Sequence, residues 1–296
     1  MTRIHVRQPG FQSTVQDLGR PGYGHLGISA AGAADPLSLR IGNLLVGNPE
    51  GAAAIEMTLT GGSFEFDGVA VVAFAGSDFG VPVWESFEVR AGQAVTCGAT
   101  RSGARCYLCV RGGIDVPPVL GSRSTQLTAG LGCALKAGDV LPVGSGGAVS
   151  APRRFGPKLL HSILPGRSIR VTAGPQSERF SDGFFQSAFL VSRNSNRMGL
   201  RLEGPCVEQR ERAQLLTEGA ALGAIQIPPD GQPIILFVEH QTTGGYPKIA
   251  NIIAADLHRI GQLRPRDEVR FELVSMEQAR ALLLRQEQYL ASSSIR

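Results

Sequence analysis

The sequence Gly62-Ser-Phe-Glu-Phe-Asp-Gly-Val-Ala-Val-Val-Ala-Phe74 combines an alternating strand pattern, an Asp-Gly pair and a continuous apolar run. The same three parts recur in the second half of the chain as Ile225-Gln-Ile-Pro-Pro-Asp-Gly-Gln-Pro-Ile-Ile-Leu-Phe237. Each stretch predicts a β-hairpin that turns at its Asp-Gly pair, Asp67-Gly68 or Asp230-Gly231. The repeat predicts two related β-barrel halves, residues 1–150 and 151–296, with a linker at 144–157.

Composition favours the same fold class. The chain has 296 residues, of which 38 are glycine and 18 are proline, and hydrophobic residues make up 43%. The apolar content is sufficient for a folded core, and the many turn residues favour a mainly β chain with a few helices and exclude a helical bundle. Residues 13–27 are rich in glycine and predict a long ordered loop. Capping residues and apolar spacing predict three helices: from Asp35-Pro36 to Gly47 or Asn48, over 251–263, and from the capping box of Ser275 and Gln278.

Charge and hydropathy exclude two classes of partner. The net charge is +4, only three of the 29 basic residues are lysines, and no basic stripe is present that could follow the phosphates of a nucleic acid. No stretch reaches the ~18–20 apolar residues of a membrane span, and the N-terminal residues lack an apolar signal core. The five cysteines are widely spaced and odd in number. They predict reduced thiols in a cytoplasmic protein.

Motifs exclude several familiar chemistries. No lysine follows a glycine as in a Walker A loop, none has the methionine neighbours of a biotin attachment site, and no His-Glu-x-x-His zinc motif occurs. Gly22-Tyr-Gly-His-Leu-Gly27 has the spacing of a dinucleotide loop but lacks the preceding buried strand, so it predicts a turn-rich loop. Cys106 and Cys109 would face opposite sides of a strand, which favours buried thiols over a metal site.

Three polar segments are candidates for function. The first contains Gln16, Asp17, Arg20, Tyr23 and His25, the second is 192–199, and the third is 239–248. Each also has a purely structural explanation, since a loop histidine can bond to backbone and Asn-Ser pairs form ordinary turns. Glu218 is either a buried carboxylate beside the third segment or a surface residue.

The third segment gives the strongest functional signal. Thr242 and Thr243 supply hydroxyl groups, Gly244-Gly245 lets backbone N–H groups approach a ligand, and Lys248 supplies a cation. Such a group of donors suits a carboxylate, a carbamate or a phosphate. The alternative is a hairpin loop with a solvated lysine. With Arg197 or Arg20 as a second cation, Lys248 and the two threonines are expected to hold an anionic group.

Five motifs together resemble the KipA family, also called allophanate hydrolase subunit 2 or the biotin-dependent carboxyltransferase family. They cover most of the chain in the family's order: Ser13-Thr-Val-Gln-Asp-Leu-Gly-Arg-Pro-Gly22, Gly32-Ala-Ala-Asp35, Arg111-Gly-Gly-Ile-Asp-Val-Pro-Pro118, Ser195-Asn-Arg-Met-Gly-x-Arg-Leu202 and Gln241-Thr-Thr-Gly-Gly-Tyr-Pro-Lys248. The resemblance implies two cyclophilin-like β-barrel domains and a KipI-like partner chain. A LamB/YcsF-like chain is a further expected partner.

The resemblance leaves three functions open. One is a subunit of an ATP-dependent 5-oxoprolinase, which opens 5-oxo-L-proline to L-glutamate. Another is carboxyl transfer from carboxybiotin to urea or a related amide, and the third is regulatory antagonism of a KipI kinase inhibitor. Either enzyme would be inactive as the isolated chain, would take a small amide or lactam, and would use ATP at the level of the complex. Biotin would be carried by another chain, and no metal is expected.

The residues expected at the site follow from these motifs. The candidate catalytic residues are Lys248 and His25. The candidate substrate-binding residues are Arg20, Tyr23, Asn196, Arg197, Glu218, Gln241, Thr242, Thr243, Gly244, Gly245 and Tyr246.

Overall fold

The chain divides by packing into two units. The computed structural model describes residues 2–147, 152–156, 168–181, 183–210 and 215–291. The first unit takes 2–20, 31–147, 152–156 and 289–291 of these, and the second takes 21–30 and the described residues of 168–288. The short segment 21–30 therefore packs with the second unit, although it precedes the first helix in the chain. The domain bounds 1–150 and 151–296 stay a prediction, and the expected linker lies partly outside the described residues.

The first unit contains two antiparallel sheets. Its strands are β1 (Arg3–Gln8), β2 (Gln12–Gln16), β3 (Ala54–Thr58), β4 (Ser63–Phe66), β5 (Ala70–Gly76), β6 (Ser86–Val89), β7 (Ala94–Thr96), β8 (Arg105–Val110) and β9 (Val140–Pro142). One sheet has the order β7-β4-β1-β9 and the other has the order β2-β3-β8-β5-β6.

The five-stranded sheet is buried on both faces, which explains its continuous apolar runs. Val72 and Phe74 of β5 point into a core that Phe64 and Phe66 of the other sheet share. The alternate residues of β5 pack instead with helix α1 (Pro36–Val46). A Cβ on Gly42 of this helix would lie 2.6 Å from the Cys109 sulfur, so the helix approaches the sheet closely.

Helix α1 and the two strand cysteines agree with the sequence predictions. Asp35 accepts a hydrogen bond from the Ser38 N–H (2.8 Å), Pro36 is the first helical residue, and Gly47 ends the helix in the left-handed region with φ 77°. Cys106 lies in the core between the sheets and Cys109 lies under α1. Burial raises the pKa of both thiols, and all five cysteines are free.

The predicted hairpin at Asp67-Gly68 is wrong. Strands β4 and β5 belong to different sheets, and the chain crosses between them at these two residues. The Asp67 carboxylate accepts a hydrogen bond from the Arg3 N–H (2.6 Å) instead of closing a turn, and Val69 is exposed. The repeat in the sequence therefore marks a crossing between sheets in the first half and a paired hairpin in the second.

The second unit contains a closed seven-stranded barrel. Its elements are β10 (Ser168–Ala173), α2 (Gly183–Gln186), β11 (Ala188–Val191), β12 (Gly199–Glu203), β13 (Glu218–Gly219), β14 (Ala224–Gln226), β15 (Ile234–Leu236), β16 (Thr243–Gly244), β17 (Lys248–Ile252), α3 (Leu257–Ile260), β18 (Glu268–Leu273) and α4 (Met276–Ala291). The barrel order is β10-β17-β14-β15-β12-β11-β18, and parallel pairing of β10 with β18 closes it. Strands β14 and β15 pair across Asp230-Gly231, so this predicted hairpin is confirmed.

The mainly β fold with a few helices is confirmed, and two local predictions are corrected. The expected loop 13–27 begins with strand β2, because these residues pair with β3. The expected helix 251–263 begins instead as the end of β17, and helical turns occur only from Ala254 onwards. The capping box of α4 is confirmed, since the Ser275 hydroxyl accepts from the Gln278 N–H and the Gln278 side chain accepts from the Ser275 N–H. Within the described residues, no helix is long and apolar enough to cross a membrane.

Candidate functional site

A β-bulge at the start of β17 places Lys248 beside Gln226. Ile225 pairs with Ala250, but its neighbour Gln226 pairs with Lys248, so Ile249 is an extra residue in the ladder. Directly opposed residues of an antiparallel pair project from the same face of the sheet. The bulge therefore puts the Lys248 and Gln226 side chains on one face, which a regular ladder would not do.

Gly174 and Gln176 hold this bulge in place. The Gly174 N–H donates to the Ile249 carbonyl oxygen at 2.9 Å, and a Cβ on Gly174 would lie 2.7 Å from the Ala250 nitrogen and collide with the Lys248 carbonyl oxygen. The Lys248 N–H donates to the Gln176 side-chain oxygen at 3.0 Å. Hydrogen bonds therefore hold the backbone at Lys248 and at the next residue, Ile249.

Lys248 forms an ion pair with Glu218. The ammonium nitrogen lies 2.6 Å from a Glu218 oxygen, and the Gln176 amide donates to the same oxygen at 3.1 Å. Lys248 is 4% exposed, whereas the Glu218 side chain is 41% exposed. The hydrogen bonds from Lys248 and Gln176 hold the pKa of Glu218 below its ordinary value, so it is a carboxylate at neutral pH.

A short ribbon covers the same face. Strands β13 and β16 have two residues each, and Glu218 pairs with Gly244 while Gly219 pairs with Thr243. The Ala220 N–H donates to the Thr242 carbonyl oxygen at 2.9 Å, which extends the ribbon. The ribbon therefore brings together Glu218, Thr242, Thr243, Gly244 and Lys248. Glu218 lies beside the third segment but is partly exposed, so neither of the two alternatives for it holds in full.

Two of the predicted residues have structural partners. The Arg197 guanidinium donates to a Glu239 carboxylate oxygen at 2.5 Å, and both side chains are largely buried. The Asn196 side-chain oxygen accepts from the N–H groups of Met198 and Gly199, as in an ordinary turn. Residues 192–199 therefore form a turn in which Arg197 is paired with Glu239.

Arg20 lies in the first unit, where its side chain is buried. It is 1% exposed, and its guanidinium donates to the carbonyl oxygens of Val119 and Ser124 and to the Gln126 side chain. These hydrogen bonds from the guanidinium group hold the segment 119–126 in place. The expectation that Arg20 serves as a second cation for an anion is therefore at odds with its placement.

The loop with His25 belongs to the second unit. Residues Gly24–Leu26 form a single 3-10 turn, and the His25 Nδ1 lies 3.1 Å from the Gly22 carbonyl oxygen. A Cβ on Gly24 would lie 4.0 Å from the Thr242 methyl group, so this loop approaches Thr242. The Tyr23 carbonyl oxygen accepts two backbone hydrogen bonds within the same turn. Gly22–Gly27 is thus the turn-rich loop that the sequence predicts.

Gly245 and Tyr246 line a cavity. Its volume is about 670 Å³, and its walls include Ile227, Pro228 and Pro247. Tyr246 is exposed. The wall also contains Glu208 and Gln209, so apolar and polar side chains both line this cavity.

Two residues of this region lie outside the predicted segments, Gln176 and Gln226, and two lie in the third segment without having been assigned to the site, Glu239 and His240. Gln226 carries a usable signal, because it is a lone polar residue between two isoleucines in an apolar strand. Gln176 has no such signal in the sequence, and only the folded structure brings it next to Glu218 and Lys248. Burial holds the pKa of His240 below its ordinary value, so the ring is neutral, with its Nδ1 2.7 Å from the Gln241 carbonyl oxygen.

The arrangement offers donors and an acceptor for a small polar ligand. Lys248 has three N–H donors, and only Glu218 accepts from them among the described residues. The exposed carboxylate of Glu218 can accept from a ligand N–H group. In the part of the chain that the structure describes, no group of three His, Cys, Asp or Glu side chains is placed to bind a metal ion.

Residues 26–273 match the family model described as carboxyltransferase domain, subdomain A and B. The chain is 40% identical to the C subunit of 5-oxoprolinase from Escherichia coli, with 96% of this chain and 95% of that protein covered. It is 36% identical to the corresponding 5-oxoprolinase chain of Haemophilus influenzae, covering 97% and 96% respectively. It is also 33% identical to urea amidolyase of Saccharomyces cerevisiae, covering 95% of this chain but 17% of that protein.

Two solved structures are also similar to this chain. The protein TTHA0988 superposes with a TM-score of 0.84 at 34% identity, covering 92% of this chain and 55% of that one. The urea amidolyase of K. lactis superposes with a TM-score of 0.87 at 33% identity, covering 97% of this chain and 20% of that one. The chain thus spans about half of TTHA0988 and a fifth of the amidolyase.

Proposed function

Because the chain belongs to the carboxyltransferase A/B domain family, we propose that it is one chain of an ATP-dependent 5-oxoprolinase. In this reaction one water adds to the lactam carbonyl carbon of 5-oxo-L-proline, the ring C–N bond breaks and L-glutamate is released, while a second water is consumed as ATP becomes ADP and phosphate. The observation that carries the proposal is the 40% identity along 96% of the chain to a protein named as the C subunit of 5-oxoprolinase.

The geometry around Lys248 supports a lactam substrate. A lactam carries an N–H group, a carbonyl oxygen and, in 5-oxo-L-proline, a carboxylate. Glu218 can accept from the N–H, and the Lys248 ammonium can bind an oxygen that carries charge. An oxyanion that forms during ring opening is stabilised by such a fixed cation.

The complex would contain further chains. The described residues include no phosphate-binding glycine loop with a lysine, so we place the ATP chemistry at the level of a complex with a KipI-like chain and a LamB/YcsF-like chain. The free cysteines fit a cytoplasmic location. The isolated chain is then expected to be inactive.

The test is reconstitution. The chain is purified with the partner chains encoded beside it, and glutamate release from 5-oxo-L-proline is measured with and without ATP. ATP-dependent release by the complex and none by the single chain is the expected result. Full turnover by the single chain, or no release by any combination, would count against the proposal.

Carboxyl transfer is a second candidate, because residues 26–273 match a carboxyltransferase model and the chain resembles urea amidolyase. The same donors would bind urea and the carboxylated biotin of another chain. Urea-dependent consumption of carboxybiotin by the same preparation distinguishes this reaction from lactam opening. The regulatory role of a KipA-type antagonist stays a prediction, tested by binding to a KipI-type inhibitor in the absence of any turnover.

A further inference from the structure

Gln226 carries a hydrogen-bond donor that the protein leaves unused. The residue is 1% exposed, and its side-chain oxygen accepts from the Gln241 amide at 3.2 Å. Its side-chain nitrogen is buried and has no hydrogen-bond partner among the described residues. A buried donor without a partner destabilises a fold, and its retention indicates a use outside folding.

The unused group lies on the face of Lys248. Gln226 pairs directly with Lys248 across the bulge, so both side chains project from the same side of the barrel wall. The Gln226 oxygen already accepts from Gln241, whereas its side-chain nitrogen has no partner among the described residues. The free group therefore selects an acceptor, and a neutral amide donor suits a neutral carbonyl oxygen.

Gly244 covers this donor. A Cβ on Gly244 would lie 2.7 Å from the Gln226 amide nitrogen and 3.5 Å from the Gln241 nitrogen. Gly244 belongs to the ribbon of β13 and β16, which is held by two residue pairs. A ribbon this short is weakly stable by itself, so a ligand can displace it at low energetic cost.

We propose that Gln226 is a specificity-determining residue whose side-chain N–H binds the carbonyl oxygen of an amide or lactam, after Gly244 moves aside. Lys248 then stabilises the negative charge that develops on this oxygen during ring opening, and Glu218 accepts the N–H of the ligand. This proposal rests on the proposed function for the identity of the lactam. It adds the residue that distinguishes a carbonyl-bearing ligand from one without this oxygen.

The test uses Gln226→Met in the reconstituted complex, because methionine has a similar volume and no donor. The KM for 5-oxo-L-proline is expected to rise about tenfold or more, while kcat changes less, since a hydrogen bond to a buried donor is lost. The thermal midpoint is expected to change little, because an unsatisfied buried donor is removed while the Gln241 amide, which loses its acceptor, is exposed to water. Gln226→Glu keeps the shape and replaces the donor with an acceptor, so its KM is expected to rise at least as much.

Gln16→Met is the matched control. Gln16 is also a fully buried glutamine with one unpartnered amide atom, its oxygen, but its nitrogen donates to Thr14 and Thr125 in the first unit. This variant is expected to lower the thermal midpoint and leave the KM unchanged. An unchanged KM in either folded Gln226 variant overturns the inference. It is also overturned if Gln226→Met lowers the thermal midpoint as Gln16→Met does while the kinetic constants of the complex stay normal.

The outcome is separable from that of the proposed function. If the parent complex releases no glutamate, the proposed function fails, and saturation of a ligand-induced thermal shift is measured with urea and 5-oxo-L-proline as probes. Weaker binding of either amide by Gln226→Met supports the inference. Equal binding of both amides by parent and variant overturns it.

Discussion

Asp17 in the first unit and Glu218 in the second are both carboxylates in polar segments, yet they use their oxygens differently. Asp17 accepts hydrogen bonds from the Gly19 and Arg123 N–H groups and from the Ser122 and Ser124 hydroxyls, at 2.5–2.8 Å. Glu218 accepts from Lys248 and Gln176 only, among the described residues, and is 41% exposed. The first cluster is complete, and the second retains capacity for a ligand. Residual bonding capacity, more than polarity, marks the site.

The sharpest test of this contrast is Lys248→Met. We expect the activity of the complex to fall about 10²–10³-fold, because a fixed cation that stabilises a charged oxygen is removed. Methionine preserves most of the packing volume, so the free energy of unfolding should change by less than about 1.5 kcal/mol. The measurements are steady-state kinetics of the reconstituted complex and urea unfolding of the chain.

Lys136→Met is the control for Lys248→Met. Lys136 is an exposed lysine of the first unit, so its loss should leave both activity and stability within error. Activity of Lys248→Met within a few-fold of the parent would make the segment 239–248 a scaffold only. The site would then have to be sought around His25.

The opposite profile is expected for Asp17→Ala. Three hydrogen bonds that join Asp17 to residues 122–124 and one from the Gly19 N–H are lost, and the freed donors are left without their partner. The expected cost is about 2–4 kcal/mol of unfolding free energy, measured by urea denaturation. The KM of the folded fraction should be unchanged. A selective rise in KM at normal stability would show that the hydrogen bonds of Asp17 also position groups that contact substrate.

Local rules in the sequence predicted those features that depend on a few neighbouring residues. The cap at Asp35, the box at Ser275 and Gln278 and the turn at Asp230-Gly231 follow from such rules, and all three are confirmed. The same Asp-Gly signal failed at Asp67, because this carboxylate accepts from the Arg3 N–H and lies 3.6 Å from the His5 ring, both far away in the chain. Turn chemistry does not encode which sheet a strand joins.

The site was predictable in part for the same reason. Lys248 and the residues 242–244 are contiguous, so their common location follows from the sequence. Gln226 and Gln176 join them through strand register and a bulge, which no local pattern specifies. Arg20 shows that a polar residue in a predicted segment can instead have a structural role. Its guanidinium donates to the Ser124 carbonyl oxygen and holds a loop that is distant in the sequence.

Gly174→Ala tests whether the bulge positions Lys248. The added Cβ would collide with the Lys248 carbonyl oxygen and lie 2.7 Å from the Ala250 nitrogen, so the backbone of β17 must shift. We expect a loss of about 1–3 kcal/mol of stability and a fall of activity beyond that explained by unfolding. Gly183→Ala is the matched control, because its nearest atom beyond its chain neighbours lies 3.7 Å away. Equal effects of the two substitutions would contradict a role for the bulge.

The smallest expected effect concerns acid. The pKa of Glu218 is lowered by the Lys248 ammonium first and the Gln176 amide second. A carboxylate with a lowered pKa in the folded state contributes stability above its unfolded pKa of about 4.3, and this contribution is lost as the pH falls through the folded value. Gln176→Met removes the second cause, so the pKa should rise and the loss should begin at a higher pH. Thermal midpoints of parent and variant between pH 3 and 7 measure this, and the pH-dependent difference between them should vanish in a Glu218→Gln background. If the thermal midpoints of the parent and of Gln176→Met change in parallel with pH while Glu218 is present, Gln176 does not influence the pKa of Glu218.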